Sequence, residues 1–189
     1  MMTERMPPLD PAVMSPEQAA AAAALSAGPR GGVRGPFIAL LRSPQLMDRL
    51  QKVGEYLRYQ SSLEPRLSEF VMLVVARRWT QQFEWFVHYP LALKAGVAPA
   101  AVEGLAQGRR PPAMAEDEAL AYDLCDELLR THGLSEATYR GALGRLGERG
   151  VMDLIGLIGY FSTVSMVLNV AHTPPPQDSS VRPLEPLPL

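Results

Sequence analysis

The 189-residue chain has the length of one domain, and its 47% hydrophobic and 20% charged residues are a normal globular balance. A formal charge of −2, with no Lys/Arg run interleaved with aromatics, argues against nucleic-acid binding. The single cysteine, Cys125, excludes an internal disulfide, a CxxC redox pair and a thiolate metal cage, and fits a reducing, cytoplasmic setting.

Residues 1–32 are an Ala/Pro/Gly-rich segment without the apolar stretch of a signal peptide. The first helical pattern is "SPQLMDRLQKVGEYLRY", where Ser43 is a plausible N-cap and Pro44 the first helical residue. Leu46, Leu50, Val53 and Leu57 share one stripe of it. Next, "EPRLSEFVMLVVARRWT" starts at Pro65, with Leu67, Val71, Val74 and Val75 expected inside. "QQFEWFVHYPLALKAG" stops at Gly96, and its Pro90 is expected to bend or break it. A short helix follows from Pro99.

"AEDEALAYDLCDELLRTHG" is acidic in its first turn and ended by Gly133, as the helix dipole favours. "SEATYRGALGRLGERG" begins with Ser135 as cap, and a long apolar helix runs from Val151 to Ala171. Its uncharged part, Leu154 to Ala171, approaches the length of a membrane span. Gly156, Gly159, Ser162, Thr163, Ser165 and Asn169, and the lack of flanking basic clusters, favour the core helix of a soluble domain instead.

Prolines crowd the termini, six of 18 in residues 1–36 and six in 173–189. The last 17 residues have no periodicity and are expected as an extended arm or disordered. The reading is an all-α single domain over residues 33–172, between the N-terminal segment 1–32 and the Pro-rich tail 173–189, with no strand pattern anywhere.

Glu84 and His88 lie at i and i+4, about 40° apart around a helix, so they leave from nearly the same face. Gln81 joins that face. Glu69 is read in the first turn of the preceding apolar helix, as a dipole complement or, if that helix is central, as a partly buried acid. Arg77, Arg78 or Arg34 could meet a substrate carboxylate, and Trp85 is read as core or pocket wall. No metal site is expected, because Glu84 and His88 lack the paired histidines of HExxH. Cys125 has no basic partner and reads as structural.

"SEFVMLVVARRWTQQFEWFVHYPLALKAGV" resembles the core of the carboxymuconolactone decarboxylase family, which includes the alkyl hydroperoxidase D type. The matching features are Glu69 opening an apolar helix, the step formed by Glu84, Trp85 and His88, and "ALKAGV" after them. The resemblance implies an all-helical bundle forming homotrimers or homohexamers, with pockets near subunit contacts. In the peroxidase branch it places Gln81 and Glu84 where two redox cysteines would be, so thiol chemistry is ruled out there.

The branch lacking CxxC implies a lyase or isomerase that needs no cofactor and acts on a small carboxylated lactone or unsaturated acid, in aromatic-compound catabolism. Its chemistry would rest on His88 as general acid/base, with Glu84 or Glu69 relaying the proton. Arg77 or Arg34 would bind the carboxylate, with Gln81 and Trp85 beside it. The competing expectation is a non-catalytic, ligand- or partner-binding helical oligomer, with a thiol peroxidase a distant third.

Overall fold

The computed structural model describes residues 3–177 and 180–186. After a 3-10 turn at Pro11–Val13 come α1 Pro16–Ala27, α2 Pro36–Leu40, α3 Pro44–Tyr59 and α4 Pro65–Arg78. They are followed by α5 Gln82–Ala95, α6 Pro99–Ala106, α7 Glu116–Thr131 and α8 Glu136–Ala171. No strand occurs among the described residues. Prolines start α1, α2, α3, α4 and α6, where the missing N–H has no helical partner to lose.

The centre of the bundle is α4. From Leu67 to Arg77 every residue except Glu69 is buried, because α5, α6, α7 and α8 all pack against this one helix. Glu69 therefore lies one turn deeper than expected, since α4 begins at Pro65, and it is partly buried rather than a first-turn dipole complement. The second long element, α8, packs against α2, α3, α4 and α7. An 18-residue stretch of it is long and apolar enough to cross a membrane, yet 61% of that stretch is buried inside this bundle. It joins the two helices expected from the sequence through a kink at Gly147 (φ 69°).

Three local expectations are corrected. Leu46 and Val53 are 49% and 47% exposed, and the inner face of α3 is Met47, Gly54 and Leu57 instead. The stripe turns because α3 meets α8 through Gly54, against which Tyr160 lies. Pro90 does not break α5, which runs on to a left-handed Gly96. His132, not Gly133, takes the left-handed position that ends α7.

The N-terminal segment also contributes packing. Leu25 of α1 enters a satellite core with Phe37, Leu40, Leu41 and Met47, and Ser15 with Gln18 forms a capping box. Residues 180–186 lie extended against the α4–α5 pair, and Val181 and Leu184 are part of the main core. The expectation for the tail beyond these residues lies outside the described ones.

Gly54 gives a first testable consequence. A Cβ there would collide with the Tyr160 hydroxyl and sit 2.8 Å from Arg30 Nη2. Alanine is worth about 1 kcal/mol to an exposed helix. Gly54→Ala should nonetheless destabilise the fold by about 1–3 kcal/mol in denaturant melts, the usual cost of overpacking.

Candidate active site

The α4–α5 turn sets the site's geometry. Thr80 takes a left-handed φ of 45°, and its N–H donates to Arg77 O at 3.0 Å while Gln81 N–H donates to Ala76 O at 2.8 Å. Gln81 Oε1 then caps α5 by accepting from Glu84 N–H at 3.1 Å. This turn lays α5 against α4 so that Glu69 of α4 faces His88 of α5.

His88 is 2% exposed and sits between two carboxylates. Its Nδ1 is 2.7 Å from Glu69 Oε2, and its Nε2 is 3.3 Å from Glu84 Oε2. The Phe161 ring meets the imidazole edge-on at 5.2 Å between centroids. Burial disfavours the imidazolium, but hydrogen bonds to Glu69 and Glu84, with the charges of both, outweigh it. The His88 pKa is held above its ordinary value of 6.5.

The sign of the linkage follows. A pKa raised on folding adds stability that is complete below the unfolded value and disappears as pH climbs through the folded one. The unfolding free-energy gap between wild type and His88→Gln should therefore shrink as pH rises above about 6.5. Denaturant melts across that range check it, and a gap that widens with pH would contradict the coupling.

Glu84 and His88 open onto a cavity of about 400 Å³, within the range of small-molecule sites. Phe83, Tyr160 and Phe161 supply apolar wall, and three arginines line the cavity: Arg30, Arg34 and Arg58. None of the three forms an ion pair with a carboxylate among the described residues. The Arg30 guanidinium stacks 4.5 Å from the Phe37 ring centre, and its Nη2 donates to Gln51 O at 3.4 Å. Arg34 is exposed at the mouth. The loop carrying Arg30 and Arg34 needs Gly35, whose φ is +55° and whose added Cβ would lie 2.7 Å from Phe83 Cε1.

Of the residues singled out in the sequence, Glu84, His88 and Arg34 line the cavity, and Glu69 joins them through its contact with His88 Nδ1. Arg77, Gln81 and Trp85 do not, which corrects their expected substrate contacts. Arg77 faces away and donates from Nη1 to Glu185 O at 2.7 Å. Gln81 is spent on the α5 cap and on Asn169, to whose Oδ1 its Nε2 donates at 3.0 Å. Trp85 is fully buried, its Nε1 donating to Arg182 O at 3.2 Å.

Arg30, Arg58 and Tyr160 were missed. The one available signal was "PRGGVRGPF", a glycine-rich loop presenting two arginines. Cys125 is fully buried in α7, and burial followed by the Asp126 charge pushes its thiol up to about 12. Among the described residues no group of three His, Cys, Asp or Glu side chains is arranged to hold a metal ion.

No family model matches the chain, and no curated protein matches it. Solved structures do. An uncharacterized peroxidase-related protein from Silicibacter sp. TM1040 is 16% identical, with a TM-score of 0.71 over 90% of each chain. An alkylhydroperoxidase AhpD core, an uncharacterized peroxidase-related protein from Ralstonia eutropha JMP134, is 12% identical, with a TM-score of 0.74 over 93% of this chain and 94% of that one. At these identities the likeness is one of fold, and the fold is the AhpD-like helical core.

Proposed function

We propose that this protein is an acid/base lyase or isomerase of the carboxymuconolactone decarboxylase type, acting on a small carboxylated lactone or unsaturated acid. The observation that carries the reading is His88 held between Glu69 and Glu84 on the wall of a cavity lined by three arginines without acidic partners. Guanidinia without acidic partners in a pocket favour an anionic ligand and can fix a carboxylate by paired hydrogen bonds. The aromatic wall suits a flat, conjugated body.

In the decarboxylating version the bond from carbon to the carboxylate breaks. Its electron pair passes into the conjugated carbonyl system, and carbon dioxide leaves. The resulting enolate collapses by taking a proton on carbon from the Glu84–His88 pair, and Glu69 shares the charge that His88 loses or gains. Loss of neutral carbon dioxide is favoured when the leaving carboxylate lies against an apolar surface, here the wall of Phe83, Tyr160 and Phe161.

A thiol peroxidase is not supported, because the only cysteine is buried in α7 with its thiolate strongly disfavoured. A second reading, a non-catalytic ligand-binding oligomer, draws on the same triad. Both His88 nitrogens already have partners, as in a satisfied internal network. Either version is proposed as a homo-oligomer, supported by the outward apolar side chains Leu46, Val53, Met166 and Val170.

Proton NMR of the protein with 4-carboxymuconolactone, beside His88→Ala, separates the readings. Carbon dioxide release by wild type that the variant lacks is the expected result. Saturable binding of a panel of carboxylated lactones and unsaturated acids without turnover of any would sink the enzyme reading.

A further inference from the structure

A second, smaller cavity of about 70 Å³ lies between α4, the loop after α6, and α7, and shares no lining residue with the first. Its charged wall is Arg77, Arg78 and Arg109, with Asp126 as the acid present. Asp126 is drawn to Arg130, whose Nε is 3.6 Å away. Arg77 is the anomaly. It is 5% exposed, one Nη holds the Glu185 carbonyl, and its Nε is buried without a partner. No carboxylate among the described residues forms an ion pair with Arg77, Arg78 or Arg109. Burial pushes the Arg77 pKa down with no acid to hold it up.

A buried guanidinium without a counter-charge is costly, and the cost disappears when an anion is taken up beside it. The three arginines offer many donors, of which Arg77 Nη1 is held by Glu185 O and Arg109 Nε by Gln107 Oε1 at 2.6 Å, with Asp126 and Tyr122 as the acceptors in the cavity wall. The volume is about twice the ~30 Å³ share of one water. That suits a single tetrahedral ion and is too small for an organic substrate.

We propose that Arg77, Arg78 and Arg109 bind one small inorganic oxyanion of the phosphate or sulfate class. The ion neutralises Arg77 and ties α4 to the loop after α6, close to where Arg77 also grips the C-terminal segment at Glu185. It stabilises the fold and takes no part in chemistry at His88.

The test is thermal unfolding of the full chain in sodium phosphate against sodium chloride at equal ionic strength. Arg77 is left intact because replacing it endangers folding. The exposed pair Arg78→Ala/Arg109→Ala is used instead, with Arg34→Ala/Arg58→Ala as the control for the larger cavity. Wild type should show a saturable rise in Tm of about 3–6 °C at roughly tenfold above Kd. The Arg78/Arg109 variant should lose that rise and the Arg34/Arg58 variant should keep it. No saturable rise in wild type, an equal rise in the Arg78/Arg109 variant, or a rise abolished by the Arg34/Arg58 changes would each overturn the proposal.

Discussion

In the proposed lyase, His88→Ala should lower kcat/KM for the carboxylated substrate by about 10²–10⁴-fold, the contribution of a positioned general acid/base. That corresponds to about 2.7–5.4 kcal/mol at 1.36 kcal/mol per decade. The size follows from geometry, since His88 touches both Glu69 and Glu84, and in the proposed mechanism the imidazole passes the proton between them. Removing it also leaves two carboxylates facing each other without a cation, so some loss of stability will accompany the loss of rate. His88→Gln separates the two effects. Its amide restores polar contact through its N–H groups but has no proton it can transfer near neutral pH, so folding should recover while kcat stays low. Arg34→Ala should act on the other parameter, raising KM with kcat nearly kept, because a mouth arginine binds ground and transition states alike. Undiminished turnover in both His88 variants would remove the triad from the mechanism.

The parts of this site that could be read from the chain were those encoded locally. Glu84 and His88 share a face because four residues separate them on one helix, and Gly96 marks where that helix ends. Burial around the whole circumference of α4 follows from its unbroken apolar run, which also explains the partial burial of Glu69. The pairing of Glu69 with His88 crosses two helices, so the resemblance suggested it where spacing could not. Arg58 and Tyr160 join the cavity through the contact of α3 with α8 at Gly54, and a glycine in mid-helix says nothing about which tyrosine lies against it. The same contact explains the turned stripe on α3. Apolar periodicity alone weighs Leu46 above Met47, whereas the observed face follows from what α3 meets. Arg77 misled for a related reason. A basic residue closing a helix looks free to meet the substrate, but Arg77 lies outside the larger cavity and its Nη1 holds a carbonyl more than a hundred residues away in sequence.

Leu184→Ala should cost about 2–5 kcal/mol, the range for truncating a buried leucine, although the lack of periodicity and the proline content mark this segment as an extended arm or disordered. Leu184 is 4% exposed and Val181 is 3% exposed. The backbone beside them is captured by side chains of α4 and α5. Gln82 both donates to Leu184 O at 2.8 Å and accepts from Leu184 N–H at 3.0 Å, while Trp85 Nε1 donates to Arg182 O. Proline suits such an arrangement, since it lowers the entropy lost when an extended segment docks and the bonds formed here need few of its amides. Leu46→Ala is the control. At 49% exposure it should change stability by no more than about 0.5 kcal/mol in the monomer. The measured cost at Leu184 also has a ceiling, because a segment that undocks locally can lose no more than its own docking free energy. Trp85 distinguishes local from global loss. Undocking in Leu184→Asp should shift its fluorescence to the red, with helical circular dichroism retained, as the indole loses its cover at Arg182. Because Gln82 and Trp85 stand on the helix that carries Glu84 and His88, that variant should also weaken the site, and a Leu184→Ala cost below about 0.5 kcal/mol would show that the tail is not part of the core.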